Sequence, residues 1–599
     1  MQGIERFIQF QGTKYLEETD AIKLLRSNRF LYDYCASKYE ISKLKWLGKN
    51  PPKQPCRFLI RNLKISKPEH LSWIALYFPH ARILSFGSHF DSAVDGHIPE
   101  GITEIEFGLY FNQSVNKLPS NLTCLKLGGS FDKEIDCLPQ SLTKLDVEDT
   151  FNRKIDDLPS GLKTLILGEC FTQSIDKLPS NLNSISFGSR FNQCIKRLPP
   201  TIQSISFDIR SKAKVSLSDL PHGLLSLELG HNSCSDPPSK WPEGLHTLHL
   251  GTAFQLQLHT WPPNLTSLQL GLYDQNDQPI DTLPNGLQFL KVGEYFDQFV
   301  AHLPASLETL DMSSCQLFHR DVDCLPPNLK SLLLPDSFNG FIDKLPNSLL
   351  ELQIGREFNQ SIDQLPTGLQ SLVFVEEGCF DQSIEHLPSE IRTIELPFSF
   401  RAGLYDLPTS LQCLTITTYD YRYSLDALPE QLKELNLSHY YTDCLKSLPQ
   451  NLQSLRCGID SQRTWIPPLP PALKLLLCYG YGSVQFDPGC EIEELIIDCR
   501  LYGGFPKSLK KLTIESYFGD LVALSHKLPK GLEELVIGRG VNIISMPFGW
   551  LPSGLKKLRL VPYCDLSNLP PSLERIEISK SFSHPSLQSI PNSVYVVQY

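Results

Sequence analysis

Apolar positions along this chain recur in a short, fixed pattern. Leu122, Leu125 and Leu127 are followed at the same offsets by Leu142, Leu145 and Val147, and then by Leu162, Leu165 and Leu167. The Leu-x-x-Leu-x-Leu spacing ends in alternation, which puts its last two apolar residues on one face of a strand and the residue between them on the other. A Leu-Pro pair separates successive cores, with Pro99, Pro119, Pro139, Pro159, Pro179 and Pro199 spaced 20 residues apart and later units drifting in length as far as Pro591. Proline fixes φ and disfavours helix at the preceding residue, so each pair marks an extended corner. Glycine follows many cores, as at Gly108, Gly128, Gly168 and Gly188, where it suits a sharp exit from the strand. A phenylalanine comes three residues later, as at Phe111, Phe131, Phe151, Phe171, Phe358 and Phe400, and predicts an aromatic column inside the coils. One unit cannot bury its own leucine face, but stacked units can, each strand pairing in parallel with the next. The pattern therefore predicts a β-rich repeat solenoid over residues 79–599, a curved parallel sheet of about 26 short coils.

The Leu-x-x-Leu-x-Leu core resembles leucine-rich repeats. The runs FNQSIDQLP at 358–366 and FNQCIKRLP at 191–199 resemble FNIP repeats, a leucine-rich-repeat relative. The resemblance covers roughly residues 80–599 and weakens between 201 and 285 and again after 470, where Phe-Asn is mostly lost while the strand core persists. It implies that the variable strand positions lie on a concave face open to a partner. Those positions include Glu106, Lys126, Asp146, Lys291, Asp311, Gln353, Glu395 and Arg456, with apolar members at Leu333, Val373, Leu477, Ile496 and Val536. Tyr419, Tyr421 and Tyr423 form a late cluster, and tyrosine is favoured at binding hot spots.

Residues 1–50 do not repeat, and two short helices are predicted there: Thr19 or Asp20 can cap the first, and Phe30, Leu31 and Tyr34 fall in the second. A proline-rich link and first-coil cap would fill 51–78. Residues 15–33, YLEETDAIKLLRSNRFLYD, resemble the second half of an F-box, although Ile4-Glu5-Arg6-Phe7-Ile8 stands where that family opens with Leu-Pro-x-Glu. The resemblance implies docking on the adaptor of a cullin-RING ubiquitin ligase, with Tyr15, Leu16, Ile22, Leu25 and Leu31 as adaptor or core contacts. The same helices would equally serve as the cap that an open solenoid end requires.

Charge narrows the partner. The net charge is −11, yet residues 1–67 hold 14 Lys and Arg against 6 Asp and Glu, so the repeat body is acidic. Nucleic-acid binding needs a basic stripe, which this body lacks. The first ten residues contain no continuous apolar core of a secretory leader, and no run of about 18 apolar residues exists, so the expectation is a cytoplasmic chain with no membrane partner. The 17 cysteines are scattered, none closer than nine positions and with no Cys-x-x-Cys, which argues against a disulfide scaffold or zinc ribbon.

Catalytic motifs are missing from the sequence: it has no HExxH, GxSxG, P-loop or GxGxxG. His246 and His249 are three apart in one strand core and so fall on opposite faces, as do the adjacent pairs Glu493-Glu494 and Glu533-Glu534. No cofactor, metal or catalytic residue is expected. The favoured reading is a protein-interaction repeat protein, in its specific form a substrate receptor of a ubiquitin ligase. A scaffold with no ubiquitin link is the alternative. Bacterial effector ligases carry similar Leu-Pro repeats but add a helical catalytic domain, for which repeats running to Tyr599 leave no room.

Overall fold

The computed structural model describes residues 80–598 apart from 212, 232, 235–237, 239, 252–253, 255–257, 272–279, 419–420, 422, 426, 439–440, 442–446, 459–463, 466–468, 487–489, 503, 517–527, 541–550, 562–565, 567–568, 579–589 and 591–593; before residue 80 it describes 40–41, 44–45, 59–60, 62–65 and 68–77. The chain divides into two compact units, Met1–Tyr295 and Phe296–Tyr599.

Each unit is a β-solenoid of parallel, in-register strands. In the first, strands run from Ile83–Phe86 through Cys124–Leu127, Lys144–Val147 and Thr164–Leu167 to Phe289–Lys291. Leu125 sits opposite Leu145, and Leu145 opposite Leu165. In the second, they run from Thr309–Asp311 through Glu351–Ile354 and Ser371–Phe374 to Tyr595–Gln598, with Leu352 opposite Leu372. The burial of each strand follows its alternation. Leu125, Leu145, Leu165 and Leu372 are fully buried, while the residues between the two apolar positions of these strands, Lys126, Asp146, Ile166 and Val373, are partly open. Each such leucine contributes roughly 1.5–3 kcal/mol of apolar burial.

The motif residues between strands have separate structural duties. The Leu-Pro corner closes a turn in which the proline carbonyl accepts the amide of the leucine three residues on: Pro119 from Leu122 at 3.2 Å, Pro139 from Leu142 at 3.1 Å, Pro366 from Leu369 at 3.1 Å. The phenylalanines stack from coil to coil. Centroids of Phe111, Phe131, Phe151 and Phe171 follow one another at 6.1, 6.1 and 6.2 Å. In the second unit the stack runs Phe296, Phe318, Phe338, Phe358, Phe380, Phe400, Tyr421, Tyr441. The asparagine after the phenylalanine makes a second ladder. Asn112 Oδ1 accepts the Asp132 amide (3.0 Å), Asp132 Oδ1 the Asn152 amide (3.2 Å), and Asn152 Oδ1 the Thr172 amide (3.0 Å). The following glutamine reaches back to the same acceptor, as Gln173 Nε2 does to Asn152 and Gln360 Nε2 to Asn339. Phe-Asn-Gln is therefore one device: the ring fills the interior, and the two amides tie its loop to the preceding and following coils.

The strand-exit glycines do more than allow a sharp exit. A Cβ on Gly188 would lie 2.1 Å from the Gly168 carbonyl oxygen, and one on Gly168 would lie 2.1 Å from that of Glu148. Close backbone approach between coils, at ordinary negative φ, is what selects glycine there.

The sheet also reaches upstream of residue 79. Asn62–Ile65 pairs with Ile83–Phe86, and Leu44–Lys45 pairs with Asn62–Ile65. A 3-10 turn, Pro68–His70, and a short helix, Leu71–Tyr77, stand between, with Leu71 and Ile74 buried. The predicted helices, and with them Tyr15, Leu16, Ile22, Leu25 and Leu31, lie outside the described residues. Within 1–50 the described elements are strands, Glu40–Ile41 and Leu44–Lys45, downstream of the two predicted helices; Leu44 lies opposite Leu63, in the same parallel register as the later coils.

Candidate protein-interaction face

The variable strand residue between the two buried apolar positions forms one column on the side of each sheet away from its buried core. In the first unit adjacent strands align Glu106, Lys126 and Asp146, and further on Glu228, His249, Gln269 and Lys291. In the second they align Asp311, Leu333, Gln353, Val373 and Glu395, and later Arg456, Leu477, Ile496, Thr513, Val536 and Arg559.

The first unit's face is polar. Lys126 pairs with Glu148 at 2.8 Å, and this bond raises the Lys126 ammonium above its ordinary pKa. Burial pushes the Asp146 carboxyl above its ordinary value despite the pull of Lys126. Such a carboxyl costs the fold stability once it ionises. Below its ordinary pKa it is neutral in both states; as pH rises through the raised folded value, the cost appears in full. Asp146→Asn is accordingly expected to stabilise the protein slightly at pH 7, with the gain vanishing towards pH 3, as urea midpoints at the two pH values would show.

The second unit's face changes character after Arg456. Leu475, Leu477, Ile496 and Val536 are partly exposed; Leu477 and Ile496 lie on adjacent strands, and Thr513 stands between Ile496 and Val536. Strands lengthen here too: Leu475–Gln485 has 11 residues and Glu494–Tyr502 has 9, where most earlier strands have three or four. Charges flank these positions in cross-strand pairs of opposite sign: Lys511 with Glu494 at 2.6 Å, Lys510 with Glu493 at 2.5 Å, and Lys556 with Glu533 at 2.8 Å. Glu493 and Glu494 thus serve separate lysines, and the Lys510 bond holds the Glu493 carboxyl below its ordinary pKa. Arg456 lies over the Tyr479 ring, 5.2 Å from its centroid.

Two predicted contact residues are not on an open face. Tyr421 is 1% exposed, stacked between Phe400 and Tyr441, and its hydroxyl donates to the Ala402 carbonyl; burial pushes that hydroxyl well above the ordinary tyrosine pKa. It is the aromatic of its coil's interior. Asp311 is 9% exposed and accepts both the Ser313 amide and hydroxyl, which turns its carboxylate back into the coil. Tyr423 is 44% exposed and meets Tyr405 edge-on at 6.4 Å, while Tyr419 lies outside the described residues. Glu106 and Arg456 are exposed, and Lys126, Asp146, Lys291, Leu333, Gln353, Val373 and Glu395 are partly so.

Burial pushes the Cys413 thiol up to about 11, with Glu434 and Glu395 adding to the effect, and Cys124 is shifted the same way. Both thiols are moved away from the nucleophilic thiolate. His249 faces Glu228 at 3.8 Å, whereas His246 bonds the Thr247 hydroxyl. Among the described residues no three His, Cys, Asp or Glu side chains gather as a metal site, and no helix is long and apolar enough to cross a membrane.

Comparison with known proteins agrees with the fold. The FNIP Repeat family matches residues 111–150 and 171–208. No curated protein matches the sequence. CroV588, whose crystal structure is described as a circular leucine-rich-repeat protein, is 21% identical with a TM-score of 0.59, over 89% of this chain and 96% of that one. YopM from Yersinia enterocolitica WA-314 is 22% identical with a TM-score of 0.36, over 83% and 91%. A chain of the mouse RP105/MD-1 complex is 15% identical with a TM-score of 0.48, over 76% and 89%. At these identities the likeness to CroV588 establishes the fold alone, and the two scores below 0.5 carry no argument. The chain is a repeat protein of leucine-rich-repeat-like fold.

Proposed function

We propose that the chain is a non-catalytic protein-recognition scaffold that holds its partner on the outer face of its sheet. The observation that carries this reading is the set of partly exposed apolar residues Leu477, Ile496 and Val536, in one register with Thr513 between the last two and flanked by the pairs Lys510–Glu493 and Lys511–Glu494. Contiguous apolar surface rimmed by polar residues marks an interaction site.

The test compares proteins captured by immobilised wild type, Ile496→Glu, and Ser383→Glu on an exposed loop of the same unit. The specific wild-type set is expected to be lost with Ile496→Glu and kept with Ser383→Glu, at unchanged melting temperature. Retention by Ile496→Glu together with loss by Ser383→Glu would move the site to the loops.

In its more specific form the scaffold is a substrate receptor of a cullin-RING ligase, a reading supported by the F-box resemblance of residues 15–33 alone. Wild type should then co-purify with the ligase adaptor and Leu16→Asp/Leu25→Asp should not. A folded wild-type chain that fails to bring the adaptor down refutes this form and leaves the scaffold reading intact.

A further inference from the structure

Two neighbouring coils put cysteine where the coils around them put an aliphatic residue. The last core-facing strand position is Leu396, Ile416 and Leu437 on one side, then Cys457 and Cys478, then Ile497, Ile514 and Ile537. Among the described strands cysteine takes this offset only here. The two are Cα partners on the parallel strands Ser454–Gly458 and Leu475–Gln485. Cys457 is 2% exposed and Cys478 is 0% exposed, and both are in the thiol form.

Register and side fix how closely they approach. Parallel strands lie about 4.8 Å apart, and residues paired in register send their Cβ bonds to the same side of the sheet. Leu455 and Leu476, two residues earlier on the same strands, are fully buried and mark that side as the core. A disulfide spans Cα separations of roughly 4.4–6.8 Å, so this pair can be bonded with the ladder in place, its Cβ atoms drawn together by about 1 Å. The register shift in Leu475–Gln485 comes later, between Tyr479 and Ser483, and on the other neighbour, Glu494–Tyr502. Packing alone does not call for cysteine here. Its side chain is smaller than leucine or isoleucine, so each replacement gives up core contact. The two losses fall side by side, where the sulfurs can react with one another.

We propose that Cys457 and Cys478 form a redox-sensitive staple between adjacent coils, joined by a two-electron oxidant of the peroxide class and released by thiol reductants. One sulfur attacks a peroxide oxygen and the O–O bond breaks. The departing hydroxide and the thiol's proton leave as water, and a sulfenic acid remains. The second sulfur attacks the first, the S–O bond breaks, the S–S bond forms and a second water leaves. Two thiols and one hydrogen peroxide thus give one disulfide and two waters. Both thiols are buried, so the first step occurs when the coils open locally. The neighbouring thiol then captures the sulfenic acid ahead of further oxidation. Arg456 and Leu477, one residue before each cysteine, lie on the opposite side of the sheet, so the staple is independent of the sheet-face reading above.

The test is peptide mapping of the full-length chain. Native protein is treated with hydrogen peroxide, quenched with catalase and unfolded in guanidinium with N-ethylmaleimide, which blocks late exchange. It is then digested and read by mass spectrometry, with and without dithiothreitol. A linked Cys457–Cys478 peptide, absent before peroxide and released by the reductant, is the expected result. Amide exchange in Ser454–Gly458 should slow by at least ~10-fold on oxidation, because the bond closes the loop of one coil, and should recover on reduction. Cys457→Val, which restores the aliphatic residue of the surrounding coils, should keep the fold and abolish both the linked peptide and the slowing. Recovery of both cysteines as N-ethylmaleimide adducts after peroxide, linkage of either to a different cysteine, or a linked peptide with unchanged exchange overturns the staple. The mapping reads the wild-type chain and so decides even where the variant fails to fold.

Discussion

Phe358→Ala is expected to cost the second unit about 3–5 kcal/mol, the largest effect of any single change considered. Phe358 is fully buried and stacks between Phe338 at 6.3 Å and Phe380 at 6.1 Å. Removing the ring loses its apolar burial and both ring contacts. The void left behind is walled by rigid stacks on either side, so collapse into it is limited. Long repeat arrays can lose all-or-none unfolding, so the local observable is preferable. Amide hydrogen exchange in Glu351–Ile354 and Ser371–Phe374, the strands of Phe358's coil and the next, should accelerate strongly and fall off with distance along the stack. Exchange there at the wild-type rate would mean that the aromatic column does not hold the coils together.

Gly188→Ala is expected to cost about 1–3 kcal/mol, a large penalty for one methyl group. The added carbon would meet the Gly168 carbonyl oxygen at 2.1 Å, the Gly168 carbonyl carbon at 2.4 Å and Glu169 Cα at 2.7 Å. All three are backbone atoms of the preceding coil, so no side chain can swing aside and the coils themselves must separate. The control is Gly504→Ala, where nothing lies within 4 Å of the new carbon, and its stability from urea unfolding should match wild type within about 0.5 kcal/mol. Equal midpoints for the two variants would show that close approach of the coils does not select glycine at the strand exit.

Strand positions were legible because the leucine alternation is local and is repeated many times. Where coils vary in length, legibility failed in a definite way. Phe318 and Phe380 occupy the stack but sit off the fixed glycine offset, because extra residues precede them in Met312–Gln316 and Val375–Cys379. Tyr421 is off the common offset as well, five residues after Ile416 where Phe400 comes four after Leu396, and only the neighbouring rings reveal that its coil holds this tyrosine in the stack. The amide ladder left no local sign of its purpose, since Asn152 and the Thr172 amide it accepts are a full coil apart. The composition of the proposed face was visible as a variable column. Its division into a paired-charge flank and partly exposed apolar positions was not, because Glu493 and Glu494 gain their meaning from Lys510 and Lys511 on the next strand.

Site-specific photocrosslinking tests the claim of a partner-binding sheet face most directly. A benzophenone amino acid is placed at Ile496 on that face and, separately, at Ser361 on an exposed loop, and the full-length protein is irradiated in its native extract. A discrete adduct from position 496 and none from position 361 is the predicted result. An adduct from 361 with none from 496 would contradict it and place recognition on the loops.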